Sequence, residues 1–258
     1  MPARKGGDGP SWSLKNPATL AVLGEVRHGH GCRPVLAWIL RGNALLGPPP
    51  GPVQMEENLF MSTDPRLAEL LASRICHDLG SPVASITALL PQAADPAAHE
   101  ILAETTVELG ARLKLFSAAF GASDELAWGD LAPLLLGAPM AHRVRFEVAE
   151  AVGQLQPGRV RLLLAAALLA AEALPRGGAV RISRDPDGSV ALLPEGRDAQ
   201  WSPTLVRLLS GGSMEMAIAE GPRRVLAPWV VAQAAAEGAE LGLALSAAIA
   251  MPPLLIGG

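Results

Sequence analysis

The sequence is poor in cysteine and in lysine. Its two cysteines, Cys32 and Cys76, are too few for a disulfide framework, and this scarcity favours a reducing cytoplasm. The formal net charge is -4 and the sequence pI is about 5.8. A nucleic-acid-binding protein normally has a strongly basic face, so nucleic acid is not an expected partner. Lysine occurs only at positions 5, 15 and 114.

Long uninterrupted apolar runs are missing as well. Arg41 breaks the first apolar segment, Glu172 ends the second, and Gly238 divides the third. Each remaining piece is shorter than the roughly 20 residues with which a helix spans a bilayer. No membrane-spanning segment is therefore predicted, and we expect a cytoplasmic protein.

Residues 1–60 are rich in glycine and proline and include the string ProProProGlyPro at positions 48–52. They show no sustained helical or strand period. Two interpretations remain open for this region. It is either a disordered tail or a mispredicted extension upstream of a biological start at Met61 or Met55.

A strong helix signal begins at Asp64. Aspartate is a favoured N-cap residue, and proline, here Pro65, is favoured at the first helical position. We therefore predict one helix over residues 64–91. Apolar residues recur along it at steps of three and four, which places them on one face. They are Leu67, Leu71, Ile75, Leu79, Val83, Ile86 and Leu90.

His77 lies on the opposite side of this helix. At about 100° per residue it falls roughly 180° from the middle of the apolar face, so its imidazole is expected in solvent. Asp78 follows directly and can support an imidazole that becomes charged or phosphorylated. Pro82 lacks an N–H and should kink the helix just after the histidine. Small residues that let another protein approach share this side of the helix: Ser73, Gly80, Ser81 and Ala84.

A second amphipathic helix is predicted at about residues 97–121, after a loop around residues 91–96. Its apolar face is formed by Leu102, Leu109, Leu113, Phe116 and Phe120. Two helices joined by a short loop form an antiparallel hairpin, and this one has too little core of its own. We therefore predict that it pairs with a second copy into a four-helix bundle, which makes the protein a homodimer.

The pattern changes class in the second half, where strand-like and helix-like segments alternate around the turn sequence AspProAspGly. The predicted strands are residues 143–148, 179–183, 189–193, 239–245 and 247–251. The predicted helices are residues 158–174, 200–209 and 222–237, the last kinked at Pro228. The fold class is therefore α+β, with an extension at residues 1–60, the helical hairpin at 61–124 and an α/β sandwich at 125–258.

The string ArgIleCysHisAspLeu at 74–79, followed by Ser81-Pro82, resembles the dimerisation and phosphoacceptor hairpin of two-component histidine kinases. More fully, it resembles the ChpT-type histidine phosphotransferases of alphaproteobacterial phosphorelays. The segment 161–178 resembles the helix that opens the ATP site of those kinases and ends in the same Pro-x-Gly-Gly. The position of the kinase asparagine that holds Mg²⁺ is Leu169, which cannot ligate a hard cation. The later Asp-x-Gly-x-Gly is absent, so the resemblance implies a degenerate ATPase-like domain.

The resemblance also implies roles and partners. His77 would be the phosphoacceptor and Asp78 a supporting acid. The donor would be the receiver domain of a hybrid histidine kinase, and the acceptors response regulators of cell-cycle progression. No cofactor or metal of its own is expected, because the receiver would bring the Mg²⁺. The residues expected to dock the receiver are Arg74, Ser73, Gly80, Ser81 and Ala84.

Three alternatives remain open from the sequence. Arg74 either steers the phosphate or the receiver, or is an ordinary solvated helix arginine. The protein could instead be an active histidine kinase with an unusual nucleotide site. It could also be a non-catalytic adaptor that binds receivers without carrying phosphate.

Overall fold

A computed structural model describes residues 64–121, 126–150, 155, 158–244 and 251–257. The predictions for residues 1–60 and for a start at Met61 lie outside these residues. All described residues belong to one compact unit, Gln54–Gly258.

Two long helices open the described part of the chain. Helix α1 is Pro65–Leu89 and helix α2 is Pro96–Phe120, and they pack against each other across a short 3-10 turn. Each helix begins after an aspartate whose side chain accepts a hydrogen bond from a first-turn N–H, at 2.9 Å for Asp64 and 3.0 Å for Asp95. These caps satisfy backbone donors that have no partner within the helix. The predicted helical hairpin is therefore present.

A five-stranded sheet with further helices follows the hairpin. The strands are β1 Val144–Val148, β2 Gly178–Arg184, β3 Val190–Glu195, β4 Leu241–Leu243 and β5 Leu254–Ile256. Their order in the sheet is β1-β2-β3-β5-β4, with β1 and β2 parallel and all other pairs antiparallel. The helices are α3 Leu131–Leu135, α4 Arg159–Glu172, α5 Pro203–Leu209, α6 Met214–Ala219 and α7 Leu226–Ala236. The predicted α+β class is confirmed.

Helix α4 occupies the centre of the core. Every residue from Leu162 to Ala171 is buried, and the helix contacts α2, α7 and strands β2 and β3. A helix that is apolar on all sides is stable only where all sides are covered. Each fully buried leucine contributes roughly 1.5–3 kcal/mol of hydrophobic stabilisation. The hairpin and the sheet region consequently share one hydrophobic core.

The glycine pair that follows α4 is required by the packing of the strands. Gly177 and Gly178 have φ of 80° and 145°, in the region that favours glycine. A Cβ atom on Gly177 would lie 2.5 Å from the carbonyl oxygen of Arg143, and one on Gly178 would lie 2.2 Å from that of Glu195. The Pro-x-Gly-Gly string therefore has a local structural reason, since it lets the backbone pass close to β1 and β3.

The predicted apolar face of α2 was wrong in part. Leu102 and Phe116 are buried, but Leu113 is 46% exposed, whereas Leu115 is completely buried. The reason is that α2 packs against α4 as well as against α1. Its buried surface is therefore wider than one stripe.

The C-terminal region differs from the prediction in three places. Strand β5 was not predicted, and the predicted strand at residues 247–251 lies outside the described residues except for its last position. Pro228 lies in the first turn of α7, where backbone N–H groups have no helical acceptor, so no kink is needed there. Helix α6 was not predicted, because its six residues are too few to show a helical period. None of the helices in the described residues is long and apolar enough to cross a membrane.

Candidate functional site

His77 stands near the middle of α1 and its side chain is 79% exposed. The small residues predicted to share its side are exposed as well: Ser73, Gly80, Ser81 and Ala84. The helical periodicity of α1 therefore correctly predicted that His77 and these four residues are exposed. This surface leaves the imidazole open to another molecule.

Asp78 fixes the tautomer of His77. Nδ1 of His77 lies 3.1 Å from Oδ1 of Asp78. An ionised carboxylate only accepts hydrogen bonds, so Nδ1 carries the hydrogen and donates it. In the neutral ring Nε2 then holds a free lone pair, which is the nucleophilic form of the imidazole.

Arg74 holds Asp78 in turn. Nε of Arg74 donates to Oδ2 of Asp78 at 2.8 Å, and Nη2 of Arg74 lies 3.0 Å from Oε1 of Glu172, the last residue of α4. The side chains of all three residues are largely buried, unlike that of His77. Arg74 is therefore not a solvated helix arginine, because it joins a carboxylate of the hairpin to a carboxylate of the sheet region.

Burial and ion pairing shift the pKa values of Arg74 and Glu172 in opposite directions. Burial raises the pKa of the Glu172 carboxyl above its ordinary value, and the guanidinium of Arg74 opposes that rise. For Arg74, burial lowers the pKa, but Glu172 and Asp78 outweigh it and the net direction is upward. Arg74 therefore stays charged. A small cavity of about 20 Å³ beside Arg74 and Asp78 is otherwise lined by apolar side chains, which reduces screening of these charges.

Arg112 of α2 supports the backbone at the same point. Pro82 has no N–H, so the carbonyl of Asp78, four residues earlier, lacks its helical donor. Nη1 of Arg112 donates to that carbonyl at 2.8 Å, and Nη2 of Arg112 pairs with Glu108. Arg112 is buried, and its Nε has no hydrogen-bond partner within the described part of the chain. Both the backbone and the side chain of Asp78 are thus held by arginines.

The sequence interpretation missed Glu172 and Arg112. Glu172 was noted only as the residue that ends an apolar run. A charged residue at the end of an otherwise buried helix is itself a signal, because its charge requires a partner. For Arg112 the signal was Pro82, since a proline inside a helix leaves one known carbonyl in need of a donor.

The predicted remnant of an ATP site lies in the core. Leu169, at the position of the kinase asparagine, is 1% exposed within α4. No group of three or more histidine, cysteine or acidic residues arranged to hold a metal ion occurs among the described residues.

Comparison with known proteins gives a family. A family model described as the histidine phosphotransferase C-terminal domain matches residues 129–249. The protein phosphotransferase ChpT of Brucella abortus (strain 2308) is 32% identical over 160 residues, which cover 58% of this chain and 77% of that protein. The chain belongs to the ChpT-type histidine phosphotransferases.

The fold of this histidine phosphotransferase is similar to a solved one. A bacterial phosphotransferase structure is 25% identical, with a TM-score of 0.63 over 75% of this chain and 96% of the other. The family model begins at residue 129 and therefore does not include His77. The match to the family model and the geometry around His77 are thus separate observations on the same phosphotransferase.

Proposed function

We propose that this phosphotransferase carries a phosphoryl group on Nε2 of His77 between two receiver domains of a phosphorelay. The observation that carries the proposal is the exposed imidazole whose Nδ1–H donates to a carboxylate that is itself held by Arg74. This arrangement provides an accessible nucleophile, Nε2. It also places the negative Asp78 carboxylate beside a ring that becomes a cation when it is phosphorylated. The donor would be the receiver of a hybrid histidine kinase, and the acceptors would be response regulators of cell-cycle control.

The proposed transfer step needs no proton movement. Nε2 of His77 attacks the phosphorus of the donor's aspartyl phosphate. The N–P bond forms as the P–O bond to that aspartate breaks, and the electron pair leaves with the donor carboxylate. Nδ1 keeps its hydrogen, so the phosphorylated ring is a cation, and Asp78 stabilises it. The reverse step, on an aspartate of a second receiver, releases the neutral ring.

The surface beside His77 suits an acidic partner. The small exposed side chains allow close approach, and Arg223 and Arg224 are exposed in the turn whose carbonyl contacts Arg74 at 3.4 Å. The receiver's acidic pocket would supply the Mg²⁺ that neutralises the transferring phosphoryl group. The two carboxylates of the network at His77, Asp78 and Glu172, are both paired with Arg74 and do not fit the role of metal ligands.

The proposal includes a homodimer built on the hairpin. The half of the hairpin next to its turn exposes Val83, Leu90, Ile101 and Val107 by 47–74%. Exposed apolar side chains so concentrated on two adjacent helices favour association, and a second copy of the hairpin is the partner that completes a four-helix bundle.

We expect the protein to sediment as a dimer of the 26.7 kDa chain and the double variant Val83→Glu, Leu90→Glu to sediment as a monomer. Charges in an apolar interface lack partners and oppose its burial. The matched control is Leu136→Glu, which changes a 75% exposed leucine outside the hairpin and should leave the dimer intact. Analytical ultracentrifugation measures all three proteins. A wild-type monomer would contradict the bundle.

The sheet region is proposed to be an ATPase-like domain without nucleotide chemistry. Support comes from Leu169, which packs in the core where a kinase would place a Mg²⁺ ligand. Two alternative functions are an active kinase and an adaptor that binds receivers without carrying phosphate. One experiment gives a different result for each of them and for the proposed phosphotransferase.

The proposal is tested by following radiolabelled phosphate onto the purified protein from two separate sources. We expect label from a phosphorylated receiver domain and none from ATP alone. The label should survive alkali and be lost in acid, as a phosphorus–nitrogen bond to histidine requires. Label from ATP alone would show that the protein is a kinase. Receiver binding without label from either source would show that it is an adaptor.

A further inference from the structure

Glu172 lies in the sheet region but is connected to His77 through two side chains, those of Arg74 and Asp78. Arg74 extends from α1 with Nε on Asp78 at 2.8 Å and Nη2 on Glu172 at 3.0 Å. Asp78 in turn accepts from Nδ1 of His77. The chain His77–Asp78–Arg74–Glu172 therefore runs from the exposed imidazole to the end of the buried helix α4.

We infer that Glu172 is a positioning residue for phosphoryl transfer, which acts through Arg74 to aim the Asp78 carboxylate at Nδ1 of His77. The inference rests on the proposed role of His77. It adds a residue of the sheet region to a site that the sequence had placed entirely on α1.

The geometry of the guanidinium gives the first argument. Arginine presents its N–H groups in a rigid planar fork, so two carboxylates bound to two different nitrogens, Nε and Nη2, fix both its position and its rotation. With Glu172 removed, the remaining hydrogen bond of Arg74 outside α1, among the residues that the structure describes, is the long 3.4 Å one from Nη1 to the Arg223 carbonyl. The guanidinium could then turn, and Oδ1 of Asp78 would lose its fixed direction toward His77.

The balance of charge gives the second argument. Asp78 and Glu172 are two carboxylates paired with the one guanidinium of Arg74, and Arg224 also acts electrostatically on Glu172. The ring of His77 becomes a cation during transfer. Without the carboxylate of Glu172, the surroundings of that cation would be more positive. Glu172 therefore favours the phosphorylated state over the free one.

The test compares Glu172→Gln with a matched control, Glu237→Gln. Glu237 pairs with Nη2 of Arg161 at 3.1 Å, and the exposures of that pair, 18% and 25%, are close to the 19% and 21% of Glu172 and Arg74. Arg161 also lies on α4, at the end away from Glu172. The two variants thus remove similar ion pairs from the same helix, and only one of the pairs reaches His77.

We expect Glu172→Gln to slow single-turnover transfer from a phosphorylated receiver by about tenfold, the effect of losing about 1.4 kcal/mol of transition-state stabilisation. The receiver concentration that gives half the maximal rate should change little, because the Glu172 side chain is only 19% exposed and the variant leaves the exposed residues beside His77 in place. Glu237→Gln should transfer like the wild type. Glu172→Asp keeps the charge and should recover part of the rate.

Nitrogen-15 NMR of the His77 imidazole provides a measurement that would not change if Glu172 had a purely structural role. The wild type and Glu237→Gln should show the Nδ1–H tautomer predominantly, whereas Glu172→Gln should show a mixture of both tautomers. Wild-type rate and tautomer in Glu172→Gln would overturn the inference, as would equal losses in both Gln variants. A wild-type protein that accepts no label would instead overturn the proposed function, and the tautomer measurement would still show whether Glu172 orients the ring.

Discussion

Replacing His77 with alanine is expected to reduce the phosphoryl label accepted from a phosphorylated receiver to background. The physical reason is that Nε2 of this ring is the only nucleophile that the proposed step uses, and alanine leaves nothing that can form the N–P bond. Because the side chain is 79% exposed, its removal should change neither the fold nor the dimer. The label is measured after gel separation, and folding by circular dichroism.

The control for this prediction is His99→Ala. His99 is also exposed and lies on the same hairpin, in the first turn of α2, so its replacement changes the histidine content without touching the network at Asp78. This variant should accept label like the wild type. Receiver binding, measured by calorimetry, should persist in His77→Ala. If His77→Ala still became labelled, the phosphoacceptor would be a different residue and the proposed mechanism would be wrong.

The sequence was sufficient for features that depend on local pattern. The Asp-Pro start of α1 and its apolar steps placed the helix within two residues at each end and put His77 in solvent. The turn at Asp185–Gly188 also formed as expected, with Gly188 N donating to the Asp185 carbonyl at 2.9 Å. Such features are determined by neighbours a few residues away, which a single sequence displays directly.

Features that depend on distant contacts could not be predicted in the same way. Leu115 is buried instead of the predicted Leu113 because α4 packs beside α2, and no local period encodes that packing. The ion pair between Arg74 and Glu172 joins segments far apart in the sequence, so the roles of both residues depended on a fold not yet known. Strand β5 is stabilised by pairing on both sides, although its three residues carry little signal of their own.

Removing the hydrogen bond between Arg112 and the Asp78 carbonyl is expected to have a large effect on stability. We expect Arg112→Met to lower the free energy of unfolding by about 1–3 kcal/mol, because the carbonyl that Pro82 leaves without a helical donor then loses its remaining one. Methionine keeps much of the apolar volume of the buried side chain, which limits the packing change. Urea unfolding followed by circular dichroism measures the loss.

Restoring a backbone N–H at residue 82 tests whether the lost hydrogen bond to the Asp78 carbonyl causes this loss of stability. Pro82→Ala gives residue 82 an N–H that can donate to the Asp78 carbonyl, so Arg112→Met should cost clearly less in the Pro82→Ala background than in the wild type. Arg159→Met is the matched control, since Arg159 is also buried and donates to a backbone carbonyl, that of Gly257. Its cost should be the same in both backgrounds, because a proline in α1 does not affect that carbonyl. An equal cost of Arg112→Met with and without Pro82 would mean that Arg112 stabilises the hairpin through Glu108 and packing, and not by completing the helix beside His77.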